Sequence, residues 1–116
     1  MDQPQMTKQT LAIIAAILDD FDPTRQWYGL ELMRASELKS GTVYPALARL
    51  EKAGWLESSW EEIDPSKAKR PRRRLYKLTA RGYAQGIEEL DRVFTQLQAR
   101  WRQRPAPVFH PSARPT

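Results

Sequence analysis

Residues 40–54 read SGTVYPALARLEKAG, and WLESSWEEI (55–63), KAKRPRRRLYKLT (67–79) and ARG (80–82) follow. The first stretch repeats apolar residues at helical spacing and ends at a glycine, which readily stops a helix. The aromatic, alternating runs on either side of the basic loop predict two strands. This order of helix, strand, basic loop, strand and helix is typical of a winged helix. The expected fold class is therefore α+β, mostly α, with a two-stranded β wing.

The hairpin is strongly basic. Residues 67–77 contain no acidic side chain and carry seven cationic ones, Lys67, Lys69, Arg70, Arg72, Arg73, Arg74 and Lys77. Such a density of positive charge needs an anionic partner or a compensating surface on the same chain. We also expect the loop 63–71 to form a mobile tip, because it has two prolines and no apolar run.

Composition narrows the functional classes. The chain has 116 residues, a net charge of +5 and no cysteine, so it fits one domain without a disulfide or a Cys-based metal site. Its single histidine, His110, lies in a proline-rich segment, and the acidic cluster 19–22 looks like a solvated helix end. We therefore expect no enzyme activity, no metal and no cofactor. No apolar run is long enough for a membrane span and no secretory signal is visible, which predicts a cytoplasmic protein with no membrane partner.

The segments before residue 40 predict two helices. Apolar residues repeat at helical spacing from Thr7, with Thr7 or Thr10 as the cap, and a second helix is expected from about Tyr28 to Ala35. Ser40 is the expected N-cap of the third helix, since its hydroxyl can accept from a free N–H of the first turn. Pro45 requires that helix to begin close to Ser40.

The last helix, expected from Ala80 to about Arg102, carries a heptad seam. Its apolar residues are separated alternately by four and three positions: Tyr83, Ile87, Leu90, Phe94, Leu97 and Trp101. A helix of this length spans about 34 Å and overhangs a small domain, so its outer stripe needs a second chain. We predict a homodimer, with Leu11 and Ile14 of the first helix contributing to the interface. The alternative is that the stripe packs on the first helix of the same chain.

The predicted organisation has three parts. Residues 7–78 form a winged-helix domain, residues 79–103 form a C-terminal dimerisation helix, and residues 1–6 and 104–116 are disordered tails.

Three runs resemble one known family. YGLELMRAS (28–36), SGTVYPALARLEKAGWL (40–56) and RRRLYKLTARG (72–82) are similar to the PadR-type transcriptional regulators, in the subgroup with a short C-terminal helix. The Tyr-Pro pair within the second run is the specific signal. The resemblance implies a winged helix-turn-helix homodimer that binds double-stranded DNA at an inverted repeat, as a repressor. It also implies that a small molecule or another protein can act as effector.

The resemblance places the third helix in the major groove and the wing along phosphates. The expected DNA contacts on the helix are Lys39, Ser40, Thr42, Tyr44 and Arg49. Each has an alternative: Ser40 as a cap, Tyr44 packed under the wing, and Arg49 paired with Glu51 or Glu57.

The expected contacts on the wing are Lys67, Lys69, Arg70, Arg72 and Arg73. Among them, the tip residues Lys67, Lys69 and Arg70 are the strongest candidates for phosphate contacts. The arginine triplet 72–74 ranks below them, because Glu57, Glu61 and Glu62 lie opposite it and can neutralise it.

A protein-interaction module without specific DNA binding is the alternative function, since winged helices can present the same surface to proteins. Weak or salt-insensitive DNA binding would favour it. Trp27, Phe94 and Trp101 could line an effector pocket or belong to a plain apolar core.

Overall fold

The computed structural model describes residue 4 and residues 6–109. Within this part of the chain the elements are α1 (Lys8–Leu18), β1 (Trp27–Tyr28), α2 (Gly29–Ser36), α3 (Ser40–Lys52), β2 (Leu56–Trp60), α4 (Pro65–Ala68), β3 (Arg74–Leu78) and α5 (Ala80–Arg102). The order of these elements and the antiparallel sheet confirm the predicted α+β winged helix.

Part of each predicted tail lies outside the described residues, and so does His110. Residues 105–109 are described; they have no regular secondary structure and are exposed.

The first three helices pack around one apolar core. Thr7 caps α1 by accepting from the Thr10 N–H at 3.1 Å. Ile13 of α1, Leu32 of α2 and Leu47 of α3 are all fully buried and belong to the same core cluster. This arrangement leaves the opposite face of α3 free, which matters for the site described below.

The start of α3 differs from the prediction in one respect. Lys39 is the N-cap and makes no side-chain capping bond, whereas Ser40 is the first helical residue. The capping role predicted for Ser40 is therefore wrong, because the helix begins one residue earlier than that role requires. Pro45 lies on the exposed side of the second turn, where water can satisfy the carbonyl that its missing N–H leaves free.

The sheet has a third strand that the sequence did not reveal. β3 lies between β1 and β2, with Trp27 opposite Tyr76 and Ser58 opposite the same tyrosine on the other side. At two residues, β1 is too short to show strand alternation. Trp27 is only 7% exposed and belongs to the core, so it does not share a surface pocket with Phe94 and Trp101, which are exposed.

The wing tip is a capped helical turn rather than the mobile loop expected. Asp64 caps α4 by accepting from the Ser66 N–H at 3.0 Å, and Pro65 occupies the first helical position, where its missing N–H costs nothing. Lys69 ends the turn in the left-handed conformation, with φ of 57°. The tip therefore holds its cations on a defined backbone.

The junction between the wing and α5 is tightly built. The Thr79 hydroxyl caps α5 by accepting from the Gly82 N–H at 3.0 Å and donates to the Gly54 carbonyl at 2.6 Å. Gly82 lies directly against the Trp55 carbonyl, and a Cβ at Gly86 would come within 2.9 Å of Ile14 Cγ2. The first turns of α5 are thus fixed to the domain. In the described part of the chain, no helix is long and apolar enough to cross a membrane.

Candidate nucleic-acid interface

The outer face of α3 is exposed and carries mostly short side chains. Ser40, Gly41, Tyr44, Pro45, Ala48 and Lys52 are exposed, while Thr42 and Arg49 are half-buried. Lys39 is exposed just before the helix. Lys52 was not among the predicted contacts, although its spacing of eight residues from Tyr44 places it on the same face. A helix with such a face can approach a groove closely and offers few long side chains for bidentate base contacts.

Tyr44 lies across the start of α2. Its ring is so close to Gly29 that a Cβ there would be 2.7 Å from both Cε1 and Cζ. The side chain is still 49% exposed. Tyr44 is therefore packed against Gly29 and partly exposed at the same time, and the packing fixes the position of its ring.

Arg49 does not form either ion pair considered for it. Glu51 instead lies 3.6 Å from the Arg74 guanidinium and accepts a short hydrogen bond from the Ser58 hydroxyl. The Nε of Arg49 is buried and has no hydrogen-bond partner among the described residues. The Glu51 contacts tie α3 to the two strands of the wing.

Arg70 is the main correction at the wing. Its guanidinium donates to both carboxylate oxygens of Glu61, at 2.6 and 3.0 Å. Its expected place among the free cations at the tip is therefore wrong, because α4 turns the chain back and brings Arg70 to Glu61. The same hydrogen bonds lower the pKa of Glu61 below its ordinary value, so this carboxylate stays ionised.

Three cations at the tip stay available. Lys67, Lys69 and Arg72 are exposed, and none has a carboxylate within 4.0 Å among the described residues. The Arg72 Nε donates to the Ile63 carbonyl at 3.0 Å, which orients its guanidinium without neutralising it. The positive charge of the wing that is both exposed and unpaired is thus concentrated at its end.

The next two arginines are held by aromatic rings. The Arg73 guanidinium lies 4.2 Å from the centre of the Tyr28 ring, and that of Arg74 lies 5.0 Å from the centre of the Trp60 ring. Arg74 also pairs with Glu51, whereas Arg73 has no carboxylate partner in the described part of the chain. The predicted neutralisation of the triplet by Glu57, Glu61 and Glu62 therefore does not occur as expected.

The seam of α5 is largely uncovered. Tyr83, Ile87, Phe94, Leu97 and Trp101 are between 41% and 66% exposed, and Leu90 packs partly on the core. Together with Leu18 and Phe21, the first half of this seam lines an apolar groove of about 410 Å³. Leu11 is half-buried, but Ile14 is fully buried in its own chain, so it offers no surface to a second copy.

The residues of the described part include no cluster of three or more metal-ligating side chains. The exposed groups are hydroxyls, cations and aromatic rings, which suit contacts to phosphate and to bases rather than bond-breaking chemistry.

Comparison with known proteins agrees with this surface. The model of the PadR-like transcriptional regulator family matches residues 24–86, which include α2, α3 and the whole wing. The chain belongs to the PadR-like family. It is accordingly a DNA-binding transcriptional regulator. A comparison with curated proteins finds no significant match.

Several solved structures share the fold of this chain. A PadR-like transcription factor from Bacteroides fragilis is 23% identical, with a TM-score of 0.60 over 80% of this chain and 85% of that one. The smu.1704 protein of Streptococcus mutans is 22% identical, with a TM-score of 0.62 over 93% and 100%. The PcaV regulator of Streptomyces coelicolor, solved with its natural ligand, is 18% identical, with a TM-score of 0.67 over 87% and 64%.

Proposed function

We propose that this PadR-like protein is a cytoplasmic repressor that binds an inverted-repeat operator as a homodimer. Residues 7–78 would bind DNA and residues 79–103 would join the two copies. One observation carries the proposal: the exposed face of α3 lies beside a wing whose three free cations are gathered at its tip. The Glu51–Arg74 pair connects the two elements, so they would meet one DNA segment together.

In this proposal α3 enters the major groove, which is about 12 Å wide, and the wing follows the phosphates beside it. Thr42 and Tyr44 would donate from their hydroxyls, with Lys39 and Ser40 at the entrance of the groove. Because the exposed face of α3 is short-chained, sequence preference would rest partly on the shape of the DNA.

The dimer follows from the uncovered seam of α5. A second copy would cover the exposed aromatic and aliphatic side chains, which a single chain leaves in water. Two recognition helices related by a twofold axis would meet successive major grooves about 34 Å apart, hence an operator with inverted symmetry. Bound at a promoter, such a dimer would occlude transcription. The predicted small-molecule or protein effector stays a prediction.

The test is fluorescence-anisotropy binding to the DNA upstream of the chain's own gene, across a salt series. Lys67→Ala/Lys69→Ala removes two tip cations, and Lys8→Ala/Arg100→Ala removes the same charge at exposed positions of α1 and α5. In a dimer the wing variant loses four phosphate contacts, which makes the logarithmic salt slope shallower by about 3 to 4. The control variant keeps nearly the wild-type slope.

Equal slopes for the two variants would exclude the wing as a phosphate-binding element. If the wild type binds neither this DNA nor a random pool at low salt, the repressor proposal fails and the protein-interaction module replaces it.

A further inference from the structure

A small groove lies between the recognition helix and the wing. It encloses about 270 Å³ and is lined in part by Tyr28, Gly29, Tyr44, Arg73, Arg74 and Tyr76. Tyr28 and Gly29 lie where β1 meets α2, and Tyr44 lies in α3. The remaining three belong to β3 or directly precede it. Three parts of the chain that are far apart in sequence thus converge on one cavity.

The chemistry of the groove is that of an anion site. Its lining holds three phenol side chains and two guanidinium groups, and none of the described residues that line it is acidic. Arg74 is partly neutralised by Glu51 at 3.6 Å, but Arg73 is stacked on Tyr28 and carries its full charge. Burial raises the pKa of Tyr76, which keeps that hydroxyl protonated and able to donate.

The groove is also built to a fixed shape. Gly29 is the first residue of α2, and the Tyr44 ring occupies the space that any side chain there would fill. The Tyr44 hydroxyl is held against the N-terminal end of α2, whose first N–H groups have no acceptor within the helix. The volume is smaller than the roughly 300–1,000 Å³ of sites that enclose drug-sized ligands. A compact tetrahedral anion suits it better.

We propose that this groove binds one backbone phosphate of the DNA, held by Arg73 and by the hydroxyls of Tyr44 and Tyr76. The proposal rests on the proposed function and adds two roles to it: Tyr76 as a donor and Tyr28 as the ring that positions Arg73. One phosphate would then be bound by α3 and the wing at once, which sets the angle of the recognition helix to the DNA.

The test uses the full chain and the upstream DNA described above. Tyr76→Phe and Tyr44→Phe remove one hydroxyl each and keep the ring, and Ser59→Ala, which removes an exposed hydroxyl outside the groove, is the control. Each groove variant loses two hydrogen bonds per dimer, so we expect at least about a fivefold loss of affinity with little change in salt slope. Arg73→Ala weakens binding and also makes the slope shallower by about 2, because it removes two charges per dimer. Circular dichroism and the melting temperature check that each variant is folded.

A set of duplexes, each with one uncharged methylphosphonate, then locates the phosphate. On one duplex per half-site, the free-energy cost of Tyr76→Phe falls to about half of its cost on unmodified DNA, because the phosphate partner in that half-site has already been neutralised. Tyr76→Phe and Tyr44→Phe that bind as tightly as the wild type would overturn the proposal while leaving DNA binding intact. Additive losses on every duplex would overturn it as well. If inorganic phosphate raises the wild-type melting temperature and no duplex shows coupling, the groove is a free-anion site and the DNA assignment is wrong.

Discussion

Replacing Gly82 with alanine would strain the junction that carries α5. The Trp55 carbonyl accepts from the Thr79 N–H at 3.0 Å and from the Thr79 hydroxyl at 3.1 Å. A Cβ at Gly82 would collide with this oxygen and would come within 2.8 Å of Leu78 Cδ1. Because the carbonyl is backbone and is held by the hydrogen bond from the Thr79 N–H, it cannot move aside as a flexible side chain would.

The magnitude follows from two opposing effects. Overpacking of this kind costs about 1–3 kcal/mol, and alanine in place of a helical glycine regains about 0.5–1 kcal/mol. We expect Gly82→Ala to lower the free energy of unfolding by about 1–2 kcal/mol, or the melting temperature by roughly 4–10 °C. Gly41→Ala is the matched control, since nothing lies within 4 Å of a Cβ at that helical position. It should be neutral or slightly stabilising.

The assay is urea unfolding followed by tryptophan fluorescence, at one fixed protein concentration for all variants. Gly86→Ala, whose Cβ would meet only the side-chain Cγ2 of Ile14 at 2.9 Å, is expected between the other two. A Gly82→Ala protein as stable as Gly41→Ala would refute the reasoning, because it would mean that α5 can shift freely on the domain.

Other perturbations test the wing and the seam. The Arg70–Glu61 pair stabilises the fold above the ordinary glutamate pKa of 4.5, and this stabilisation disappears as the pH falls through the lowered pKa. The melting temperature of Glu61→Gln is therefore below that of the wild type at pH 7, and the two melting temperatures converge under strong acid. A difference in melting temperature that does not depend on pH would exclude the charge of Glu61 as the cause of the stabilisation. Arg70→Ala changes the salt slope of DNA binding less than Lys69→Ala does, since Arg70 is already paired; equal changes would show that the pair opens on DNA. Phe94→Glu raises the dimer dissociation constant by roughly 10- to 100-fold in sedimentation equilibrium, and an unchanged constant would remove the seam from the interface.

Local signals predicted the helices well. The bounds of α5, Ala80–Arg102, agree with the prediction, because Thr79 is a strong cap and the apolar repeat continues to Trp101. The strands of the wing were predicted to within about two residues by their aromatic alternation. Spacing along one element is enough for such assignments.

What the sequence did not predict depends on contacts between elements. The Arg70–Glu61 pair needs the turn of α4, which the loop composition concealed. Ile14 has the same helical spacing as the half-buried Leu11 and Leu18, but it packs against Gly86 and is fully buried there. The groove around Tyr76 is formed by three segments, so no single stretch of sequence reveals it.

The most direct measurement of the central claim is the salt dependence of wild-type binding to the upstream DNA, with the number of bound chains determined by titration. Four cations per copy, Lys67, Lys69, Arg72 and Arg73, give eight phosphate contacts in a dimer and a logarithmic slope of about −7. We predict this slope and two chains per duplex. A slope near zero, or one chain per duplex, would contradict the account.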